Sequence, residues 1–380
     1  MAAPRIAIAH DYLTQRGGAE RVVLAMHRAF PDAPIHTTVY NPETTYPEFS
    51  EARVFTSKTL SRVPLLTRDH RLGLALYPWG IDRTPIIDAD VLLVSTTGYA
   101  HGFRTTGRKL VYCHSPARFL YLVEDYLGGS SWRSPVGWGL AMVRPGLIRW
   151  DQRAAASADL YLANSTVVRQ RIMDTYGIAA EVLPAPPAVT HHVAAEPLTE
   201  LADWGPGYYF VVSRLLPYKN VNVVLDAFRA LPEERLLVVG KGPMEAELRR
   251  TLPRNARMVQ GISDAQLAWS YQNASALIAP SFEDYGLTPL EAAAFGIPTL
   301  ALRAGGYLDT VVDGRTGTFF DEPTPSAIAA TVRATRGRPW LPDAIKRHAE
   351  LFSEEHFSHR LYQHVQAMVP QSQGEGASRR

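Results

Sequence analysis

Short apolar runs recur along the chain, bounded by Gly, Pro, Asp or Ser. Arg5–Ala9 (RIAIA), Ile35–Val39, Val91–Ser95 (VLLVS), Lys109–Cys113 (KLVYC) and Leu160–Ala163 predict strands in the first half. Tyr208–Ser213 (YYFVVS), Arg235–Gly240 (RLLVVG), Ala276–Pro280 and Thr299–Leu302 repeat the style in the second. Runs of this length without alternation suit strands buried on both faces, hence parallel sheets covered by helices. Between them, Gly18–Phe30 and Val221–Leu231 carry helical spacing, as in Val224, Ala227, Phe228 and Leu231. The order β-α-β-α, run through twice, predicts two parallel α/β domains. The stretch 183–201 (LPAPPAVTHHVAAEPLTEL) holds four prolines and cannot continue a helix or a central strand. It sets a boundary near Pro184–Pro187, giving domains at 1–185 and 186–345. A C-terminal helix over 346–370 is expected to pack back toward the N-terminal domain, ahead of a polar, disordered tail at 371–380.

Composition narrows the class. With 39 Lys and Arg against 37 Asp and Glu in 380 residues, the chain lacks the basic footprint of a nucleic-acid coat protein. The charge is uneven: residues 1–180 carry 20 basic and 15 acidic side chains, residues 181–380 carry 19 and 22. The first half is thus the one suited to anionic partners. One cysteine, Cys113, forbids an intramolecular disulfide and a cysteine-rich metal cage. The N-terminus passes from a short apolar run straight into charge, unlike a signal peptide, and no apolar stretch is long enough to span a membrane. A cytosolic two-domain protein is the expectation.

In open parallel sheets ligands bind beyond the carboxyl ends of the strands, so the residues just after each strand matter most. After Leu277–Ala279 comes SFEDYGLTPLEAAAFGIP, with Glu283 and Glu291 on either side of Gly286. A helix is expected to start around Leu287–Pro289, because proline suits a first turn. Its free N–H groups can hold a diphosphate, and Glu283 on the loop and Glu291 one turn inside can flank it. The plainer reading makes Glu291 a surface or capping glutamate. Arg214 and Lys219, in SRLLPYKN after YYFVV, place two cations on a strand-end loop. Such cations can neutralise a leaving diphosphate without a metal, or can be solvated loop charges. VVGKGP begins like a dinucleotide fingerprint, but Glu245 stands where its third glycine belongs. Gly240 and Gly242 then read as a nucleotide edge instead. In the first half Gly17 and Gly18 join strand to helix and let backbone amides approach a ligand, unless they form a plain tight turn. His114, in Cys113-His114-Ser115-Pro116, stands at a strand end, as a functional or a structural histidine.

Taken together these motifs resemble family 4 of the retaining glycosyltransferases, nucleotide-sugar-dependent enzymes of the GT-B fold. The resemblance runs from HDYLTQRGGAERV through YCHSP, SRLLPYKN and EDYGLTPLE to GGYLDTVVDGRTG, and is most specific in the second half. It implies two Rossmann-like domains with parallel sheets facing across a cleft, with nucleotide-sugar in the C-terminal half and acceptor in the N-terminal half. It makes Arg214 and Lys219 diphosphate ligands and has Glu283 hold sugar hydroxyls. The amides of Gly286, Leu287 and Thr288 would lie near sugar and phosphate, and Glu291 would accept the ribose hydroxyls. His114 would sit beside the reacting sugar, and Gly17–Gly18 would cover the phosphates. Two departures stand out: Asp284-Tyr285 replaces the commoner Gly-Phe, and Asn220 replaces the usual Gly after the lysine. The first is a candidate for altered sugar choice.

The resemblance supplies no carboxylate nucleophile at a matching position, so front-face attack is expected, without a metal or other cofactor. Asp88 and Asp90 match a metal-binding DxD pattern but precede their strand instead of following it. His191-His192 lies in the linker without a further ligand at useful spacing. The alternatives are a non-catalytic two-domain sugar- or nucleotide-binding protein, and a GT-B sugar-nucleotide epimerase or hydrolase. The style of the first-half motifs is similar to bacterial polysaccharide and mannosyl transferases, which favours GDP-mannose as donor. Finally, 58–80 and 132–150 mix Lys58, Arg62, Arg68, Arg71, Arg133, Arg144 and Arg149 with leucines and tryptophans. That composition suits peripheral contact with an anionic membrane at its cytoplasmic face and a glycan or polyprenyl-linked acceptor. An ordinary helix with snorkelling arginines is the alternative.

Overall fold

The computed structural model describes residues 3–61, 73–122, 135–187 and 194–369, the side chains of 135–141 excepted. The chain divides into two compact units. One comprises Met1–Asn164, Val168–Pro184 and Phe357–Arg380; the other comprises Ser165–Val167 and Ala185–His356.

The first unit is built on seven parallel strands: β1 (Ile6–His10), β2 (Ile35–Thr37), β3 (Val54–Thr56), β4 (Val91–Thr96), β5 (Arg108–Cys113), β6 (Leu160–Ala163) and β7 (Ala180–Val182). Their order is β3-β2-β1-β4-β5-β6-β7. The chain therefore walks outward from β1 to β3, then reverses and starts again at β4 on the other side of β1. In register, Ala9 faces His36 on one side and Val94 on the other. Every residue of β4 is buried, as its run of apolar residues requires. On one face Ala7, Ala9, Leu92, Val94, Val111 and Tyr161 pack with Tyr77, Ile81, Tyr99 and Phe103. A polar network crosses this core. Asp151 in the helix Pro135–Ala155 meets His101 Nε2 at 2.9 Å and accepts from the hydroxyls of Tyr121 at 2.8 Å and Tyr176 at 2.9 Å. Three partners thus share one buried carboxylate, which makes its burial tolerable.

The second unit holds six parallel strands: β8 (Tyr208–Val212), β9 (Leu236–Val239), β10 (Ala256–Val259), β11 (Ala274–Ala279), β12 (Thr299–Leu302) and β13 (Gly317–Phe320). Their order is β10-β9-β8-β11-β12-β13, so the walk reverses here between β8 and β11. Tyr209, Val211, Val238 and Ile278 pack on Val224 and Phe228 of the helix Val221–Arg229. Phe210, Leu237 and Leu277 face the opposite way, toward Tyr271, Leu198 and Ala292.

The expected single helix over 346–370 is two. Pro342–Glu350 belongs to the second unit, and Glu354–Met368 carries the chain into the first. Ser353 Oγ accepts the His356 amide at 3.2 Å, an interaction that starts a new helix instead of prolonging the old one. Phe357 then packs edge-on against Tyr112, with ring centroids 5.7 Å apart. The expected tail at 371–380 lies outside the described residues. No helix among the described residues is long and apolar enough to cross a membrane.

Candidate active site

In a parallel sheet the loops on the two sides of the reversal point part company, leaving a crevice at the carboxyl ends of the strands. In the second unit that crevice lies between β8 and β11. From β8 leaves the loop of Arg214 and Lys219; from β11 leaves the loop of Glu283. The Lys219 ammonium makes an ion pair with Glu283, both side chains being largely buried at 13% and 22% exposure. Ser281 Oγ donates to Glu283 Oε1 at 2.5 Å, and the buried Tyr307 hydroxyl lies 3.3 Å from Ser281 Oγ. Burial, and then the charge of Glu283, push the Tyr307 hydroxyl well above its ordinary pKa. It remains a neutral donor. Tyr218 sits with both cations: its hydroxyl is 3.2 Å from Arg214 Nη2, and Lys219 Nζ is 5.0 Å from its ring centroid.

Glycines and one asparagine let these loops close up. Asn220 adopts φ 55° and ψ 26° at the N-cap of the helix Val221–Arg229, a left-handed conformation that Asn tolerates nearly as Gly does. Its Nδ2 donates to the Pro280 carbonyl at 3.0 Å, tying the lysine loop to the base of the glutamate loop. A Cβ on Gly240 would lie 1.9 Å from Ser213 O, and one on Gly242 would lie 2.5 Å from Leu215 O. These two glycines therefore press the β9 loop onto the arginine loop. A Cβ on Gly305 would fall 2.3 Å from the Glu283 carbonyl, which accepts the Gly306 amide at 2.8 Å.

The helix expected after the glutamate loop runs over Leu287–Ala294, with Gly286 at its N-cap at φ 91°. Leu287 and Thr288 supply the amides of its first turn. Glu291, inside it, is 7% exposed, and its Oε2 accepts from the Tyr271 hydroxyl at 2.8 Å. It is no surface glutamate. Tyr285 is buried and its hydroxyl donates to the Ala185 carbonyl at 2.6 Å.

In the first unit the reversal point lies between β1 and β4, and a second cluster stands there. His10, the last residue of β1, donates from Nδ1 to the Ser95 carbonyl at 3.0 Å, which fixes its tautomer. Ser95 Oγ is 2.9 Å from His114 Nε2 at the end of β5. Burial, and then the neighbouring His10, push the His114 pKa down to about 3, so the ring is neutral. The buried Asp11 accepts the amides of Thr97, Tyr99 and Ala100 at 2.5, 2.7 and 2.6 Å, holding the loop after β4. Gly17 is the N-cap of the helix Gly18–Ala29, and a Cβ on it would lie 2.5 Å from Glu20 Oε2. Glu20 is 1% exposed, and burial raises its carboxyl above the ordinary value. His10, Asp11, Glu20 and Ser95 were not singled out by motif reasoning; the place of His10-Asp11 at a strand end was the available signal.

Asp88 and Asp90 are both engaged by Arg5, at 2.5 and 2.9 Å, on the amino side of β4. Among the described residues no group of three or more His, Cys, Asp and Glu is placed to hold a metal ion. The His191-His192 pair lies outside the described residues, as do most of 58–80 beyond Ser61 and the start of 132–150. A cavity of about 870 Å³, lined by His36, Phe55, Ile86 and Arg83 among others, shares no residue with either strand-end cluster.

Two parallel α/β units, each with polar side chains gathered at the reversal point of its strand order, define the GT-B architecture. Solved structures agree. Sucrose-phosphate synthase from Thermosynechococcus elongatus superposes with a TM-score of 0.68 over 96% of this chain and 98% of its own, at 16% identity. Anabaena HepE in complex with UDP-glucose gives 0.68 over 96% and 100%, at 15% identity. The model of glycosyltransferase family 4 matches residues 16–190 and that of the glycosyl transferases group 1 matches residues 200–349. The chain belongs to these group 1, family 4 glycosyltransferases. Among characterised relatives, the GDP-mannose-dependent alpha-(1-6)-phosphatidylinositol monomannoside mannosyltransferase of Mycolicibacterium smegmatis is 30% identical over 52% of this chain and 57% of its own. The glycogen synthase of Thermus thermophilus is 34% identical over 36% and 33%. The chain thus spans from a third to a little over half the length of these relatives.

Proposed function

We propose that this protein transfers a hexose from a nucleoside-diphosphate sugar to a hydroxyl of a glycan or lipid-linked glycan, with retention of anomeric configuration. The observation that carries the reading is the convergence of Arg214, Lys219, Glu283 and Glu291 on the β8/β11 reversal point of one sheet. A diphosphate needs cations, a sugar needs hydroxyl acceptors, and a ribose needs a buried carboxylate; this cluster has each. In the proposed step the bond between the anomeric carbon and the phosphate oxygen breaks while the acceptor oxygen bonds to that carbon from the same face. The acceptor proton passes to the departing phosphate, whose growing charge Arg214 and Lys219 stabilise. Glu283, tied to Lys219 and Ser281, orients sugar hydroxyls, and the neutral His114 accepts or donates one hydrogen bond beside the reacting carbon without adding charge.

GDP-mannose is the proposed donor, supported by the mannosyltransferase relative, whose name states that donor. The basic and aromatic composition of 58–80 and 132–150 supports peripheral attachment to an anionic cytoplasmic membrane surface. The test is turnover of a panel of nucleoside-diphosphate sugars, GDP-mannose and UDP-glucose first, with and without acceptor. Acceptor-dependent release of nucleoside diphosphate supports transfer, whereas equal release without acceptor makes the protein a hydrolase. Binding without any turnover makes it a sugar-nucleotide-binding protein. Flotation with anionic against neutral vesicles tests the attachment, and equal recruitment removes it.

A further inference from the structure

Glu291 is anchored by a residue outside every motif that marks the site. Tyr271 lies in the last turn of the helix Asp264–Gln272, on the face of the sheet opposite Val224 and Phe228. Its side chain is fully buried, and its hydroxyl donates to Glu291 Oε2 at 2.8 Å. The ring is held on two sides. Phe295 stacks on it at 5.4 Å and 8°, and Phe210 of β8 meets it edge-on at 5.0 Å and 84°. Phe295 follows directly on the helix that carries Glu291, so acceptor and stacking partner are set by one element.

We infer that Tyr271 is the positioning residue for the nucleotide ribose: it fixes the rotamer of Glu291 so that the carboxylate meets a diol already oriented. The inference rests on the proposed role of Glu291. A glutamate side chain has substantial rotamer freedom to lose on binding a ligand, and a fixed one has lost it in advance. A hydroxyl given to one oxygen also turns the carboxylate plane, which decides where its remaining lone pairs point. A tyrosine does this without competing for the site, because burial and the adjacent carboxylate keep its hydroxyl protonated across the working pH range. The interaction therefore acts through Glu291 and touches no substrate.

The test compares nucleoside diphosphates that differ only at the ribose. Binding of GDP and UDP, and of their 2′,3′-dideoxy forms, is measured by calorimetry for wild type, Tyr271→Phe, Glu291→Ala and the double variant. Tyr271→Phe should weaken binding of the ribonucleotide that wild type prefers by roughly tenfold, the scale of one hydrogen bond to a charged group. The dideoxy form should bind wild type and Tyr271→Phe equally. The double variant should bind no worse than Glu291→Ala alone, since both changes remove one unit. A merely structural tyrosine would weaken both nucleotide forms alike, and that result overturns the inference. Phe295→Leu, which removes a stacking face and no polar atom, should show the same ribose-dependent loss to a smaller degree; it serves where Tyr271→Phe melts more than a few degrees lower. Should Glu291→Ala bind ribonucleotides as wild type does, the role of Glu291 itself falls and this inference with it. Should Glu291→Ala weaken binding while Tyr271→Phe does not, only the positioning role fails.

Discussion

His114 gives a prediction in which the chemistry of the first-unit cluster shows up as stability. Its Nε2 lies 2.9 Å from Ser95 Oγ, and burial with His10 nearby holds its pKa at about 3. In the unfolded chain the same ring titrates near pH 6.5. Between those two values the unfolded chain binds a proton that the folded protein refuses. Stability is therefore complete above about pH 6.5 and declines as pH falls through the window toward the folded value. From pH 7 to pH 5 the linkage relation gives a loss of at most about 2 kcal/mol. That figure hardly depends on how far below 5 the folded value lies. His27, His36, His348 and His364 are also depressed by burial, but they contribute equally to wild type and to a His114 variant. His114→Gln is the perturbation, because an amide keeps a polar atom near Ser95 and does not titrate. Urea unfolding at pH 5, 6 and 7 should show the variant gaining on wild type by up to about 2 kcal/mol as pH falls. Parallel pH dependence of the two proteins would mean that folded His114 protonates as freely as an exposed ring, and the neutral-imidazole argument would be refuted.

Two further outcomes follow from the same geometry. Lys219→Met and Glu283→Gln, measured singly and together by denaturant unfolding, should show a coupling of about 1–3 kcal/mol, the range for a hydrogen-bonded pair of charges; coupling near zero would mean the pair is screened as a surface one is. Glu20 behaves oppositely to His114: burial raises its carboxyl above the ordinary value, so its ionisation costs folded stability as pH rises through the folded value. Glu20→Gln should melt progressively higher than wild type from pH 4 to pH 8, and an unchanging gap would show that Glu20 ionises freely.

How far the sequence revealed the fold depended on where each strand sits. All nine strands read from apolar runs are present, two with the expected ends and the others with an end shifted by one or two residues. The four that were not read are β3, β7, β10 and β13, and these are the four sheet edges. An uninterrupted apolar run signals burial on both faces, and an edge strand seldom has that. β3 is mostly exposed, β7 carries Glu181 and β10 carries Arg257. The same logic divides the site. Glu283, Glu291, Arg214 and Lys219 were proposed from the sequence because their motifs are contiguous and follow a strand. Tyr271 was not, because it reaches Glu291 across 20 positions of chain. Nor were His10 and Ser95, which meet across 85 positions through the pairing of β1 with β4.

The two departures from the family pattern have different physical meanings. At Asn220 the backbone is left-handed, so the pattern's glycine is there for a conformation, and asparagine supplies the same conformation plus a hydrogen bond to Pro280. Nothing about ligand binding need change. At Asp284-Tyr285 the hydroxyl that the tyrosine adds is spent on the backbone. The Tyr285 hydroxyl goes to the Ala185 carbonyl at 2.6 Å, and the Asp284 carbonyl accepts from Ser165 Oγ at 2.5 Å. Thr166 beside it gives its amide and hydroxyl to Asp309, both at 2.7 Å, within the segment GGYLDT whose glycines press on Glu283 and Tyr285. Ala185 and Ser165–Val167 are where the chain enters the second unit. A phenylalanine at 285 would fill the same space and leave that carbonyl without its donor. The tyrosine thus anchors the chain's entry into the second unit to the loop that carries Glu283.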